Sequence, residues 1–106
     1  MRLPQSPSIL RRMRDARLRQ LQALGPMLGG SLVRFPHHSS LYLTDKYRGK
    51  TRTLYIPPHR LQEVQQWHAS FVAAKKLLAE LSEIQRKLLR VEIQVSRRLR
   101  GRKSSS

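Results

Sequence analysis

The first hydrophobic pattern in the chain has helical spacing. From residue 8 to residue 24 apolar side chains recur every three or four positions, which predicts an amphipathic helix. Ser6 and Pro7 suit the N-cap and the first helical position, and Gly25-Pro26 suits the end. The residues that fall on one side of this helix are Leu10, Met13, Leu21 and Leu24, with Leu18 adjoining. The arginines at positions 11, 12, 14 and 19 fall mostly on the other sides.

The pattern then changes to short segments rich in β-branched and aromatic residues, which predict strands. These segments are residues 31–35, 41–45 and 51–56. Gly29-Gly30 precedes the first segment, and a short loop that begins at Pro36 separates it from the second. The middle of the chain therefore predicts a three-stranded antiparallel sheet.

A two-residue turn at Arg48-Gly49 gives the second and third strands one consistent register. It pairs apolar residues with apolar residues and sets Asp45 opposite Arg52, whereas a one-residue slip loses that charge pair. A longer loop over Lys46–Lys50 is the alternative. The face expected to be buried comprises Leu41, Leu43, Leu54 and Ile56. The opposite face comprises Tyr42, Thr44, Lys46, Thr51, Thr53 and Tyr55.

Pro57-Pro58 introduces a long helix, predicted from His59 to about Leu99. Its first apolar positions suit a cover for the sheet: Leu61, Val64, Trp67, Phe71 and Val72. The later ones keep a 4-3 spacing, which is coiled-coil-like: Leu77, Leu81, Ile84, Leu88, Val91 and Val95. A helix of about 60 Å is too long for three short strands to cover. Its distal half must pack on the first helix, on a second copy in a homodimer, or on another protein.

The predicted fold class is therefore α+β, with an N-terminal basic helix, a three-stranded antiparallel sheet and a long C-terminal amphipathic helix whose distal half is coiled-coil-like. We expect a basic helix over residues 1–28 and the sheet with the start of the long helix over 29–74. The distal helix covers 75–99, and a disordered basic tail covers 100–106.

Charge narrows the choice of partner. The 106 residues include 22 Lys and Arg against 6 Asp and Glu, a formal net charge of +16. Such an excess favours a polyanion, and we expect nucleic acid, DNA rather than RNA. No apolar run is long enough to span a bilayer, and we expect no membrane partner. A DNA-binding protein of this kind would be cytoplasmic and associated with the nucleoid.

The candidate nucleic-acid-binding residues fall in three basic segments. A twisted β-ribbon fits the major groove, and Lys or Arg at its tip can meet phosphates or guanine edges. Arginines of the first helix and of the chain end would add phosphate contacts. The hairpin residues are Lys46, Arg48, Lys50 and Arg52. The first helix contributes Arg11, Arg12 and Arg14, and the chain end contributes Arg97 and Arg98.

Catalysis and cofactors have little support. The absence of cysteine excludes disulfides, Cys-ligated zinc and thiol nucleophiles. His37-His38 has no third metal ligand nearby except Asp45, and Gly49-Lys50-Thr51 lacks the upstream glycine and following helix of a phosphate-binding loop. We expect no catalytic residues, no metal and no cofactor, and we expect that the protein is not an enzyme.

Several blocks between Gly30 and Arg90, about 60 residues, resemble an uncharacterised bacterial and archaeal small-domain family. Its genes often lie beside insertion-sequence transposases. The blocks are Gly30-Ser31-Leu32-Val33-Arg34, Tyr42-Leu43-Thr44, Gly49-Lys50-Thr51-Arg52-Thr53 and Tyr55-Ile56-Pro57, followed by an amphipathic helix with Trp67. The resemblance implies a protein of a mobile element, with a transposase as one expected partner. The chain departs from the family in lacking its Cys-rich stretch, since only Phe35 to Leu41 fill that gap.

These observations favour a non-catalytic, DNA-binding accessory protein of a mobile element. The alternative is a protein-interaction adaptor that uses the distal helix, or a small basic RNA-binding protein. Salt dependence separates nucleic-acid binding from the adaptor role, because affinity falls steeply with salt only where several phosphates are contacted.

Overall fold

A computed structural model describes residues 1–36 and 39–104 of the chain. The elements in chain order are helix α1 (Pro7–Ala23), strands β1 (Ser31–Arg34), β2 (Leu41–Tyr47) and β3 (Lys50–Ile56), a 3-10 turn (Pro58–Arg60) and helix α2 (Leu61–Ser104). The three strands form one antiparallel sheet in the order β1-β2-β3. The α+β fold class predicted from the sequence is confirmed.

The chain forms two compact units, which are described in turn. The sheet unit comprises Leu24–Lys75 and so contains the three strands and the start of α2. The helical unit combines Met1–Ala23 with the part of α2 from Lys76 onward.

The register predicted for β2 and β3 is confirmed in the sheet unit. Asp45 lies opposite Arg52, Tyr42 opposite Tyr55, and the strands meet at the pair Tyr47 and Lys50. The turn is therefore the two residues Arg48-Gly49, and the longer loop is not formed. Pairing continues up to this turn, so that both strands extend beyond their predicted ends on the turn side and have seven residues each.

The core of the sheet unit forms where α2 crosses one face of the sheet. Leu43, Ile56 and Val64 are buried in this cluster. The half-buried residues around them are Leu28, Leu32, Leu41, Leu61 and Trp67. The expectation that Leu54 is buried was wrong, because its side chain is 59% exposed. Leu54 lies on the edge strand, nearer the turn than Ile56, and outside the cluster that Val64 completes.

The entry to β1 is fixed by a close backbone approach at Gly30. Its φ is +103°, and a Cβ at this position would lie 2.7 Å from the Thr44 carbonyl oxygen on β2. The Gly30 carbonyl accepts a hydrogen bond from Nε2 of His68 on α2 at 2.8 Å. The sheet edge and the helix are thereby joined at one residue, which only glycine can occupy without strain.

The core of the helical unit lies between α1 and the distal part of α2. Leu10 on α1 is fully buried against Ile84, Leu88 and Val91, and Leu3 and Met13 pack at the margin. The coiled-coil-like spacing thus finds its partner within the chain, in the first of the three options that the sequence left open.

Two ion pairs show that these helices are antiparallel. Arg17 Nε donates to Glu80 at 2.7 Å, and Arg11 Nη2 donates to Glu92 at 3.2 Å, so that later residues of α1 meet earlier residues of α2. Because α1 begins at Pro7, the 4-3 spacing outlasts its partner, and Val95 is 45% exposed.

Some element ends differ from expectation. Helix α1 spans 7–23 rather than 8–24. Helix α2 starts two residues later than predicted, after the 3-10 turn, and continues to Ser104. Residues 100–104 are therefore helical rather than part of a disordered tail, while residues 105 and 106 lie outside the described chain. Among the helices that are described, none has an apolar stretch sufficient to cross a membrane.

Candidate nucleic-acid interface

The turn of the β2–β3 hairpin presents Arg48 at its tip. Arg48 and Gly49 have φ angles of 51° and 79°, so both central residues are left-handed, as in the turn type that matches the twist of antiparallel strands. Arginine is an uncommon choice in this conformation, which costs an L-residue about 1–2 kcal/mol. The Arg48 guanidinium lies 5.2 Å from the centroid of the Tyr47 ring. A cation thus lies at the tip of the hairpin.

The register divides the four basic hairpin residues between two faces and the tip. Lys46 pairs with Thr51 and lies on the face away from the α2 cluster. Lys50 and Arg52 lie on the other face, in line with Leu54. Lys46, Arg48 and Lys50 are exposed and form no ion pair among the residues that the structure describes.

Arg52 is occupied within the hairpin. It donates two hydrogen bonds to Asp45, at 3.0 Å from Nε and 2.6 Å from Nη2, and its guanidinium lies 4.5 Å from the Tyr47 ring centroid. These hydrogen bonds lower the pKa of Asp45 and raise that of Arg52, outweighing the opposing effect of desolvation. Arg52 therefore holds the two strands together with its charge balanced, whereas the sequence placed it with the binding residues.

The sheet face away from α2 carries aromatic side chains in contact with one another. Tyr42 and Tyr55 meet edge to face with ring centroids 5.7 Å apart, and Phe35 lies 5.2 Å from Tyr42. Tyr55 is 48% exposed and Phe35 is 43% exposed. The sequence predicts that the two tyrosines share a face, but the hairpin register alone does not include Phe35. The signal that places Phe35 there is the register of β1 on β2, in which Val33 lies opposite Tyr42 and Phe35 falls two residues further along the same face.

Comparison of this chain with protein-family models, curated protein sequences and solved structures gives no match. Within residues 1–36 and 39–104, no three His, Cys, Asp or Glu side chains lie close enough together to hold a metal ion. His37 and His38, the candidates weighed from the sequence, lie outside the described residues.

The arginines expected to contact phosphate from α1 differ in what they already bind. Arg11 pairs with Glu92 across the helical unit, and Arg14 Nε donates to Asp15 at 3.1 Å on its own helix. Arg12 is exposed and has no carboxylate partner in the described chain. Of these three arginines, Arg12 is therefore the one whose charge is not balanced by a neighbouring carboxylate within the described residues.

The far end of α2 carries Arg97 and Arg98, both exposed and without a described ion pair. Arg97 lies near a second group of exposed apolar residues, Leu89 at 55% and Ile93 at 43% exposure. These leucine and isoleucine side chains lie on a different side of α2 from Leu88, which is buried on α1.

Five of the six carboxylates in the chain are engaged by arginine. They are Asp15, Asp45, Glu63, Glu80 and Glu92. The hydrogen bond from Arg17 lowers the pKa of Glu80, as Arg52 does for Asp45. Acidic groups held in this way serve as structural partners. The uncompensated charge of the molecule belongs to the remaining lysines and arginines.

Proposed function

We propose that this protein is a non-catalytic accessory protein that binds DNA through the β2–β3 hairpin. The observation that carries the proposal is the hairpin tip, where Lys46, Arg48 and Lys50 are exposed without carboxylate partners on a two-residue turn. The paired strands and the two-residue turn fix the backbone positions of these three residues, so that phosphate contacts cost only the freedom of the side chains.

Supporting contacts come from the helical unit. Arg12, Arg97 and Arg98 are exposed and carry unbalanced charge, and each suits a phosphate oxygen. Affinity built from such contacts is largely independent of sequence and falls as salt rises, by roughly 0.9 log units per log unit of salt for each phosphate on duplex DNA. The net charge of +16 favours rapid association with any polyanion.

The setting in a mobile element rests on the resemblance between Gly30 and Arg90 described above. The family it resembles is encoded beside insertion-sequence transposases, which suggests a transposase as partner and the nucleoid as location. Sequencing the DNA that flanks this gene tests the setting. A transposase reading frame alongside is the expected result, and its absence in several genomes that carry this gene would count against it.

The experiment that tests DNA binding compares two charge-matched double variants by fluorescence anisotropy on a labelled duplex. Arg48→Ala with Lys50→Ala removes two tip charges, while Lys75→Ala with Lys76→Ala removes two exposed charges elsewhere. We expect the tip variant to bind at least tenfold more weakly than the control variant. Equal affinities would overturn the role of the hairpin.

A protein-interaction role is the second candidate, and one observation favours it. Leu89 and Ile93 lie one turn apart on α2 and form a short exposed apolar stripe on the helical unit, at 55% and 43% exposure. Arg86 and Arg97 flank the stripe, so that a second copy of this chain would meet like charges. The partner that fits is an acidic amphipathic helix. Co-purification with the product of the neighbouring gene, lost in Leu89→Ser with Ile93→Ser, is the expected result; retention in that variant would contradict it.

A further inference from the structure

The face of the sheet away from α2 is an ordered surface with three cross-strand pairs. From the turn outward these are Lys46 with Thr51, Thr44 with Thr53, and Tyr42 with Tyr55. Successive pairs on one face lie about 7 Å apart along the strands. The surface therefore changes from a cation near the turn, through hydroxyl groups, to aromatic rings, and Phe35 extends the aromatic end beyond Tyr42.

The aromatic end is available to a ligand. Tyr55 and Phe35 are 48% and 43% exposed, although each contacts Tyr42 and is held in place by it. Exposed aromatic side chains that are fixed by neighbours offer stacking surface with little loss of conformational freedom on binding. Thr51 and Thr53 beside them are exposed as well, and their hydroxyls can bond phosphates or base edges.

We infer that this face binds unpaired nucleotides, and that the DNA taken by the hairpin is single-stranded over this surface. Bases in a duplex stack on each other with a rise of about 3.4 Å and expose no ring face except at an end. Phe35 and Tyr55 lie on opposite sides of Tyr42, with ring centroids 5.2 and 5.7 Å from the Tyr42 ring, so that a base stacked on Tyr55 does not also stack on a base bound at Phe35. Only an unpaired strand has bases free to do this.

The cations and the aromatic rings would bind different parts of each nucleotide. Lys46 on the same face and the tip residues Arg48 and Lys50 bind the phosphates, and the threonines between Lys46 and the rings contact the backbone or base edges. Tyr55 and Phe35 bind the base faces, with little preference for sequence because every base offers a π-face. This inference rests on the proposed DNA binding of the hairpin and names the form of DNA that is bound.

The hairpin supplies matched controls for a test, because equivalent residues lie on its two faces. Tyr55 lies on the aromatic face, while Tyr47, 51% exposed, lies on the opposite face beside Arg52. A tyrosine can thus be removed from either face of the same hairpin, whose strands have seven residues each.

The experiment measures the affinity of an oligothymidine strand and of a duplex of equal length by anisotropy at one salt concentration. We expect the single strand to bind more tightly, and Tyr55→Leu to weaken its binding by roughly 5- to 100-fold, which is the range for one stacked base. Tyr47→Leu should change it less than twofold. Tyr55→Phe, which keeps the ring, should bind like the wild type.

A second readout does not depend on the folding of any variant. On adding oligothymidine to the wild-type protein, the ring-proton NMR signals of Tyr55 and Phe35 should shift by more than those of Tyr47, whose ring contacts the tip residue Arg48 and Arg52. Equal effects of Tyr55→Leu and Tyr47→Leu on affinity, together with unshifted Tyr55 signals, would overturn the stacking surface. If binding were still weakened by Arg48→Ala with Lys50→Ala, the proposed DNA binding by the hairpin would stand. Absence of binding to both single strand and duplex would instead overturn the proposed function.

Discussion

Arg52 and Asp45 face each other across the β2–β3 hairpin and share two hydrogen bonds, of 3.0 and 2.6 Å. The pairing fixes the register that places Lys46 and Tyr55 on one face and Lys50 on the other. It also removes Arg52 from the charge available to a ligand. Arg52→Ala is thus expected to act through the stability of the hairpin, whereas Arg48→Ala acts through binding.

The Asp45–Arg52 pair makes the stability of the protein depend on pH in acid. The pKa of folded Asp45 lies below the usual 3.8, so the pair's contribution is complete above that value and is lost as the pH falls through the lower pKa. Urea unfolding of the wild type and of Asp45→Asn at a series of pH values should give a difference that shrinks below pH 3.8. A difference that stays constant throughout that acid range would contradict the pairing.

Replacing Arg48 by asparagine should separate stability from binding. Asparagine tolerates the left-handed conformation better than arginine does, so Arg48→Asn should raise the free energy of unfolding by up to about 1 kcal/mol. The same substitution removes a tip charge and should weaken DNA binding. Lys46→Asn is the control, since it removes an equal charge from an extended strand position and relieves no backbone strain. Lower stability in Arg48→Asn than in the wild type would count against the turn geometry.

Gly30→Ala should be strongly destabilising, because Gly30 lies against the backbone of β2. An added Cβ would lie 2.7 Å from the Thr44 carbonyl oxygen, and the φ of +103° is strained for alanine. We expect a loss of more than about 2 kcal/mol, measured by urea unfolding. Gly25→Ala is the matched control, because nothing lies within 4 Å of a Cβ there. Similar behaviour of the two variants would refute the close approach.

Two adjacent leucines on α2 test the packing of the helical unit. Leu88 is 2% exposed in the cluster with Leu10, and Leu89 is 55% exposed. Leu88→Ala should cost about 2–5 kcal/mol through lost burial and a cavity, and Leu89→Ala less than about 1 kcal/mol. Equal losses of stability in the two variants, measured by thermal denaturation, would contradict the packing of α1 on the Leu88 side of α2.

The β2–β3 pairing could be predicted because three independent signals agreed. The alternation of Leu41, Leu43, Leu54 and Ile56, the charge pair of Asp45 with Arg52, and the glycine at the turn all select one register. The sequence also shows that α2 outlasts the sheet. Alternation identifies a face of a sheet but not how far a helix covers it, and for this reason the exposure of Leu54 was missed.

The choice of partner for the distal part of α2 could not be made from spacing. A 4-3 pattern fits any apolar helix, and the partner is determined by which helix the chain can bring back. Ion pairs such as that of Arg17 with Glu80 identify α1 as the partner, but their residues lie far apart in the sequence and meet only in the folded chain. The same limit applies to the candidate site, where the sequence gives no means of distinguishing Arg11, which pairs with Glu92, from Arg12. The pairing of Arg52 with Asp45, by contrast, follows from the hairpin register.

The central claim, that the hairpin tip binds the phosphates of DNA, is tested most directly by the salt dependence of affinity. The slope of log affinity against log salt is measured for the wild type and for the triple variant Lys46→Ala, Arg48→Ala, Lys50→Ala. If each cation meets one phosphate, the wild-type slope should be steeper by roughly 2–3 on single-stranded or duplex DNA. Identical slopes for the two proteins, or no dependence on salt in the wild type, would contradict the claim.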